Sequence, residues 1–392
     1  MPHRPDPLAW IAEELASLEA RDLRRRLRTH HGPQSSLLEF DGRSFVNFGS
    51  NDYLGLAADQ RLTQAVVDAA QQEGWGSGAS PLVVGHGESH RRLEQRLAQF
   101  EGTEAALVFS SGFAANVGAV SSLVGVEDAV YSDSLNHASL VDGCRLSRAA
   151  VHVYRHADAG HLQHLLGDSR AFRRRLIVTD SVFSMDGDLA PLAELAELAD
   201  RSHCMLMVDE AHATGVFGEH GRGLAESLGV EDRVDVRVGT LSKALGCAGG
   251  FVCGSRELVD WLINKARPYV FSTAPPPAAC AAALAAIDIV RDEPERRAAL
   301  LAGAAEARTR LAAQGWSIGT TASQIVPLLV GEPARAVALS AELARRGYWV
   351  PAIRPPSVPA GQARLRIGLS YGHSTEQLDG LIGTLAEAMA VG

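Results

Sequence analysis

A carboxylate, an imidazole and an amine follow two short apolar runs in the middle of the chain. Residues 204–208 read as a buried strand and lead into Asp209 and His212. Residues 234–239 read as a second strand and lead into Thr240, Ser242 and Lys243. In an open α/β sheet the residues just past the carboxyl ends of the strands line the ligand crevice, so these groups share one rim. Pyridoxal phosphate needs a lysine amine to carry it and an acid facing its pyridine nitrogen. Lys243 and Asp209 suit those two parts, and His212 suits a place near the phenolic oxygen. Each residue alone also has a plain reading, Lys243 as the solvated start of a helix. A metal centre wants several convergent ligands. No compact histidine–carboxylate–cysteine cluster accompanies the D-E-x-H string, so no metal is expected.

The order DEAHATGVFGEHGRG (209–223), then GTLSKALG (239–246), then a Gly-Gly pair resembles the α-oxoamine synthases. The resemblance runs from about Leu23 to Ser370. It implies a fold-type I pyridoxal-phosphate transferase, α/β, with a mostly parallel central sheet in a large domain and a smaller α+β C-terminal domain. The implied division is 1–48 for an N-terminal helix and hairpin by the site entrance, 49–285 for the cofactor domain and 286–392 for the small domain. It also implies an acyltransferase that joins an amino acid to an acyl thioester on pyridoxal 5'-phosphate, in a homodimer with a shared active site. Within the family the motifs are most similar to the biotin-pathway branch. That branch condenses L-alanine with pimeloyl-CoA, or a pimeloyl carrier-protein thioester, and releases carbon dioxide and free thiol. Branches that use glycine or serine remain the alternative.

The elements that must position these groups follow from periodicity. Residues 7–28 carry Leu8, Ile11, Leu15, Leu18 and Leu23 at helical spacing and turn basic at Arg21, Arg24, Arg25, Arg26 and Arg28. Arginines near a helix end are favourable with its dipole, or they clamp an anion; the resemblance selects Arg24 for the acyl substrate. A hairpin is expected over 37–48 around Asp41-Gly42. In GSNDYLGL (49–56) the resemblance places Asn51 by the substrate, while Tyr53 reads as packing. Ser111, Gly112 and Phe113 sit where a strand at 105–109 meets a helix, and free N–H groups there bind anions. The resemblance makes this the cofactor-phosphate turn. It also implies that His137, in NHASLVDG, stacks on the pyridine ring and that Ser184 lies near its phenolic oxygen. His156, His161 and His164 read as surface residues.

Ser272 and Thr273 precede three prolines and read as helix caps. The resemblance makes that segment cross a dimer interface to the partner's phosphate. Arg366, in ARLRIGLS, is the implied holder of the amino-acid carboxylate, with Arg364 as competitor; arginine binds carboxylates through paired planar bonds.

Composition narrows the field further. The chain has 392 residues, 46% of them hydrophobic, enough for two domains. A net charge of -9 argues against a general nucleic-acid binder. Five cysteines without paired spacing fit reduced thiols. No apolar run is long enough to span a bilayer, and the opening residues lack the apolar core of a signal peptide, so a cytoplasmic enzyme is expected.

Overall fold

The computed structural model describes residues 6–167 and 172–391. A hairpin, β1 (Leu37–Phe40) and β2 (Arg43–Asn47), turns at Asp41 and Gly42, both with positive φ. A two-residue turn of this kind matches the twist of the flanking strands. The central sheet follows: β3 (Ala105–Phe109), β4 (Ala129–Asp133), β5 (Ala150–Tyr154), β6 (Arg175–Asp180), β7 (Met205–Asp209), β8 (Val236–Thr240) and β9 (Gly250–Gly254). Last come β10 (Ile325–Gly331), β11 (Tyr348–Trp349), β12 (Ala352–Ile353) and β13 (Ala363–Gly368).

The seven-stranded sheet has the order β3-β9-β8-β7-β6-β4-β5. Only β9 runs against its neighbours. Five of its strands, β3, β4, β6, β7 and β8, are near-continuous apolar runs because helices cover both faces. Successive residues feed opposite faces: Leu206 and Val208 join one core, Met207 the other. From β4 the chain steps outward to β5, then returns through β6, β7 and β8. The order therefore reverses between β4 and β6, and ligands bind at such a switch point beyond the carboxyl ends.

The C-terminal part holds a second sheet, β10-β13-β12, packed by helices Glu295–Ala313, Pro333–Arg345 and Thr375–Val391. The N-terminal hairpin is not a separate layer. β2 pairs in parallel with β11, and Gly368 N–H donates to Phe48 O.

Two local expectations fail. The first helix covers only Trp10–Ala20, so Arg24 to Arg28 lie beyond it rather than on its last turn. Asp22, at positive φ, breaks the helical course. Ser272 and Thr273 cap nothing: the helix Pro277–Asp292 starts with Pro276 at its cap and Pro277 in its first turn, where a missing N–H costs no bond.

Candidate active site

Five strand ends converge. β3 delivers Ser111–Phe113, β4 delivers His137, β6 delivers Asp180 and Ser184, β7 delivers Asp209 and His212, and β8 delivers Thr240 and Lys243.

Asp209 is buried, with each carboxylate oxygen held by one donor. Its Oδ2 accepts from Asn116 Nδ2 at 2.5 Å and its Oδ1 from Ala211 N at 2.8 Å. Asn116 also donates to Ser139 Oγ at 2.9 Å, which lies 2.7 Å from His137 Nδ1. Ser139 N–H donates to Nδ1 at 3.3 Å, which makes Nδ1 an acceptor for the Ser139 hydroxyl as well. The His137 proton therefore sits on Nε2. Burial lowers the His137 pKa, helped by Lys243 and opposed by Asp209. His137 remains exposed on one side. Beside it, burial and the Asp209 charge raise Asp180 well above the usual carboxylate range.

The Lys243 amine makes no hydrogen bond among the described residues, while its backbone carbonyl accepts from Gly246 N–H at 2.9 Å. Burial lowers its pKa to about 8, against the pull of Asp209 and Asp180. The loop that carries it is pinned: Thr240 Oγ1 donates to Gly249 O at 3.0 Å and accepts from Ser242, whose Oγ lies 2.8 Å away.

His212 is buried, and burial followed by Lys243 drives its pKa well below normal. Its Nδ1 lies 2.6 Å from the Tyr53 hydroxyl. That hydroxyl also lies 3.1 Å from Asn51 Oδ1 and accepts from Arg366 Nη2 at 3.3 Å. Tyr53 was expected only to pack; it is the hub that ties Asn51, His212 and Arg366 together. Arg366 Nε donates to Ser184 O at 2.5 Å. Arg364 is committed elsewhere, buried against Asp186 and the carbonyls of Gln362 and Met185.

Ser111 caps the helix Gly112–Leu123 by accepting from Ala114 N at 3.1 Å. Among the described residues the N–H groups of Gly112 and Phe113 donate to nothing. A Cβ at Gly250 would overlap the Gly112 nitrogen, so only glycine lets β9 lie under this cradle. The cradle, the unbonded lysine amine, the fixed carboxylate and the open face of His137 fit an aromatic aldehyde phosphate. Among the described residues no group of His, Cys, Asp and Glu side chains could hold a metal ion.

Other expected residues lie apart. Arg24 pairs with Glu19 at 3.4 Å, while Arg25 reaches Ser357 Oγ at 3.3 Å. Thr273 is exposed beside Phe271, which is 71% exposed. His156 is half-buried rather than simply exposed: it bridges Asp133 and Asp188. Asn116 was also missed; a lone amide in the apolar helix GFAANVGAVSSL was the available signal.

Residues 43–385 match the family described as aminotransferase class I and II. The 8-amino-7-oxononanoate synthase of Anaeromyxobacter dehalogenans (strain 2CP-1 / ATCC BAA-258) is 54% identical over 382 residues, 97% of this chain and 96% of that protein. The chain belongs to the aminotransferase class I and II family, in its α-oxoamine synthase branch. The fold is fold-type I. A second 8-amino-7-oxononanoate synthase, from Anaeromyxobacter sp. (strain Fw109-5), is 56% identical over 98% of this chain and 97% of its own. Among solved structures, serine palmitoyltransferase from S. paucimobilis with a bound PLP–myriocin aldimine superposes with a TM-score of 0.92 at 30% identity. The alignment covers 98% of this chain and all of that one. An 8-amino-7-oxononanoate synthase from Francisella tularensis gives 0.77 at 28% identity, over 88% and 98%. No helix among the described residues is long and apolar enough to cross a membrane.

Proposed function

We propose that the chain is a pyridoxal-phosphate-dependent acyltransferase, working as a homodimer, that condenses L-alanine with a pimeloyl thioester. The products are 8-amino-7-oxononanoate, carbon dioxide and free thiol. The observation that carries the substrate choice is the 54–56% identity to synthases of that name along nearly the whole chain.

When bound, the cofactor supplies an electron sink for a carbanion at the amino-acid α-carbon. The chain supplies the rest. Gly112 and Phe113 N–H groups, capped by Ser111, hold the phosphate at a helix N-terminus. Thr240 lies against Gly112 and lines the same cradle. Asp209, locked by Asn116, holds a proton on the pyridine nitrogen. His137, with one side exposed, would stack on the cofactor ring. His212, neutral at physiological pH, and Ser184 face the phenolic oxygen. Lys243, with a pKa near 8, would hold the cofactor aldehyde and, as a free amine, would serve as the base for the α-proton. Arg366 grips the amino-acid carboxylate, steadied by Tyr53 and Ser184 O. Asn51 orients Tyr53 at the substrate side.

Arg24 meets the far carboxylate of the acyl chain. Ser272 and Thr273 reach the phosphate of the partner protomer, and the exposed Phe271, Phe113, Val83 and Val84 are covered there. A second reading, serine with a longer acyl thioester, is favoured by the closer superposition on serine palmitoyltransferase. The test is a panel of alanine, glycine and serine crossed with pimeloyl, palmitoyl and acetyl thioesters, read by thiol release and product mass. Alanine with pimeloyl thioester gives the highest kcat/KM; a maximum at serine with palmitoyl-CoA replaces this reading with the second.

A further inference from the structure

His156 lies at the exit of β5, the outermost strand of the parallel edge, and takes no part in the chemistry above. Its ring is wedged between two carboxylates. Nδ1 is 3.0 Å from Asp133 Oδ1 and Nε2 is 2.7 Å from Asp188 Oδ2. The side chains of Asp133 and Asp188 are only 1% and 12% exposed. The ring also stands edge-on against Phe183 at 4.4 Å. Both nitrogens thus face acceptors, so both carry protons. Burial alone would lower its pKa, but the two carboxylates outweigh burial and raise it to about 10.

The two carboxylates belong to different turns. Asp133 ends β4, and its oxygens also accept from Leu135 N and Ala157 N, both at 2.8 Å. The turn it organises carries His137, whose N–H donates to Asp180 Oδ2. Asp188 closes the turn after β6, where Phe183 N–H donates to Asp188 O. That turn contains Ser184, whose carbonyl accepts from Arg366. His156 spans both turns, one on each side of the switch point, beyond the place where Asn136 and Asp180 already tie the two strand ends together.

We propose that His156 is a positioning residue for the condensation: its ring, clamped between Asp133 and Asp188, sets the distance between the turn bearing His137 and the turn that receives Arg366. This rests on the function proposed above. Removing the ring leaves two buried carboxylates facing each other, and the turns part. The amino-acid half of the site loosens, while the acyl half, contacted from the N-terminal arm, does not.

The test compares the parent holoenzyme with His156→Gln and with the His156→Gln/Asp188→Asn double variant. The single variant raises KM for L-alanine roughly ten-fold, as expected for loss of a buried charged hydrogen bond. It leaves KM for the thioester near the parent value and weakens the visible circular dichroism of the bound cofactor. Neutralising Asp188 in the double variant restores most of both. A purely structural role would instead lower cofactor occupancy and thermal stability, move both KM values together and resist rescue; that pattern, or a parent-like single variant, overturns the proposal. If His156→Gln does not fold, Asp188→Ala removes one arm and raises the alanine KM about three-fold with the same split; a parent-like Asp188→Ala overturns it. Hydrogen exchange of the cofactor-free protein separates this from failure of the functional reading. Residues 134–137 and 183–188 exchange faster together in His156→Gln, whatever the substrate. Unchanged exchange in either turn overturns the clamp.

Discussion

Tyr53→Phe is the sharpest probe of the site. The change keeps a buried ring and removes one oxygen. That oxygen lies 2.6 Å from His212 Nδ1, 3.1 Å from Asn51 Oδ1 and 3.3 Å from Arg366 Nη2. Without it, a buried imidazole nitrogen has lost its partner and the arginine has lost one of its supports. A buried polar group left unmatched costs about 1–3 kcal/mol. At about 1.4 kcal/mol per tenfold, kcat/KM for the amino acid falls roughly 5- to 150-fold. Loss through Arg366 raises KM for alanine, because that contact binds the ground state. Loss through His212 lowers kcat. The assay is thiol release with alanine varied at saturating thioester, alongside exchange of the alanine α-proton in D2O without thioester. Both fall. A folded Tyr53→Phe protein with parent-like kcat/KM and exchange would refute the hub.

Three further outcomes are expected. Lys243 has a folded pKa of about 8, below its ordinary 10.5, so between those values the unfolded chain holds more protons and the cofactor-free protein gains stability as pH rises; below about 8 its penalty is full and constant. Urea unfolding should show up to about 3 kcal/mol of that gain, absent from Lys243→Met; a pH-independent difference between the two proteins refutes it. Arg24→Ala should raise KM for pimeloyl thioester far more than for an uncharged chain of equal length, and equal losses would remove Arg24 from the acyl pocket. Mixing Lys243→Ala chains with Thr273→Asp chains should restore part of the activity if the site is shared between protomers, and an active monomer in sedimentation would end that reading.

The strands of the central sheet were legible because β3, β4, β6, β7 and β8 are short, mostly apolar runs punctuated by polar exits. Lys243 and Asp209 were legible for the same reason, each being the chemical residue just past a run. Arg366 was preferred to Arg364 by resemblance alone, since both sit in one short strand; packing adds that Asp186 already claims Arg364. Tyr53 and His156 were read as ordinary because His212 and Asp188, which decide their roles, are 159 and 32 residues away. Local pattern carries no signal for a hydrogen bond of that span. The cap expected at Ser272 and Thr273 failed because three prolines follow, and the last of them starts the helix itself.

The parallel pairing of β2 with β11 has a consequence for how the chain is made. Asn47 and Trp349 are register partners, yet about 300 residues separate them, and at ~5–20 residues per second β2 waits roughly 15–60 s on the ribosome for its neighbour. During that interval the β2 edge of the hairpin stays open, with Phe40 and Phe45 uncovered by the Trp349 ring that later packs on both. The N-terminal arm is therefore among the first segments synthesised and among the last to be sealed. Its closing partner arrives only after every residue of the cofactor cradle and the lysine loop has been translated.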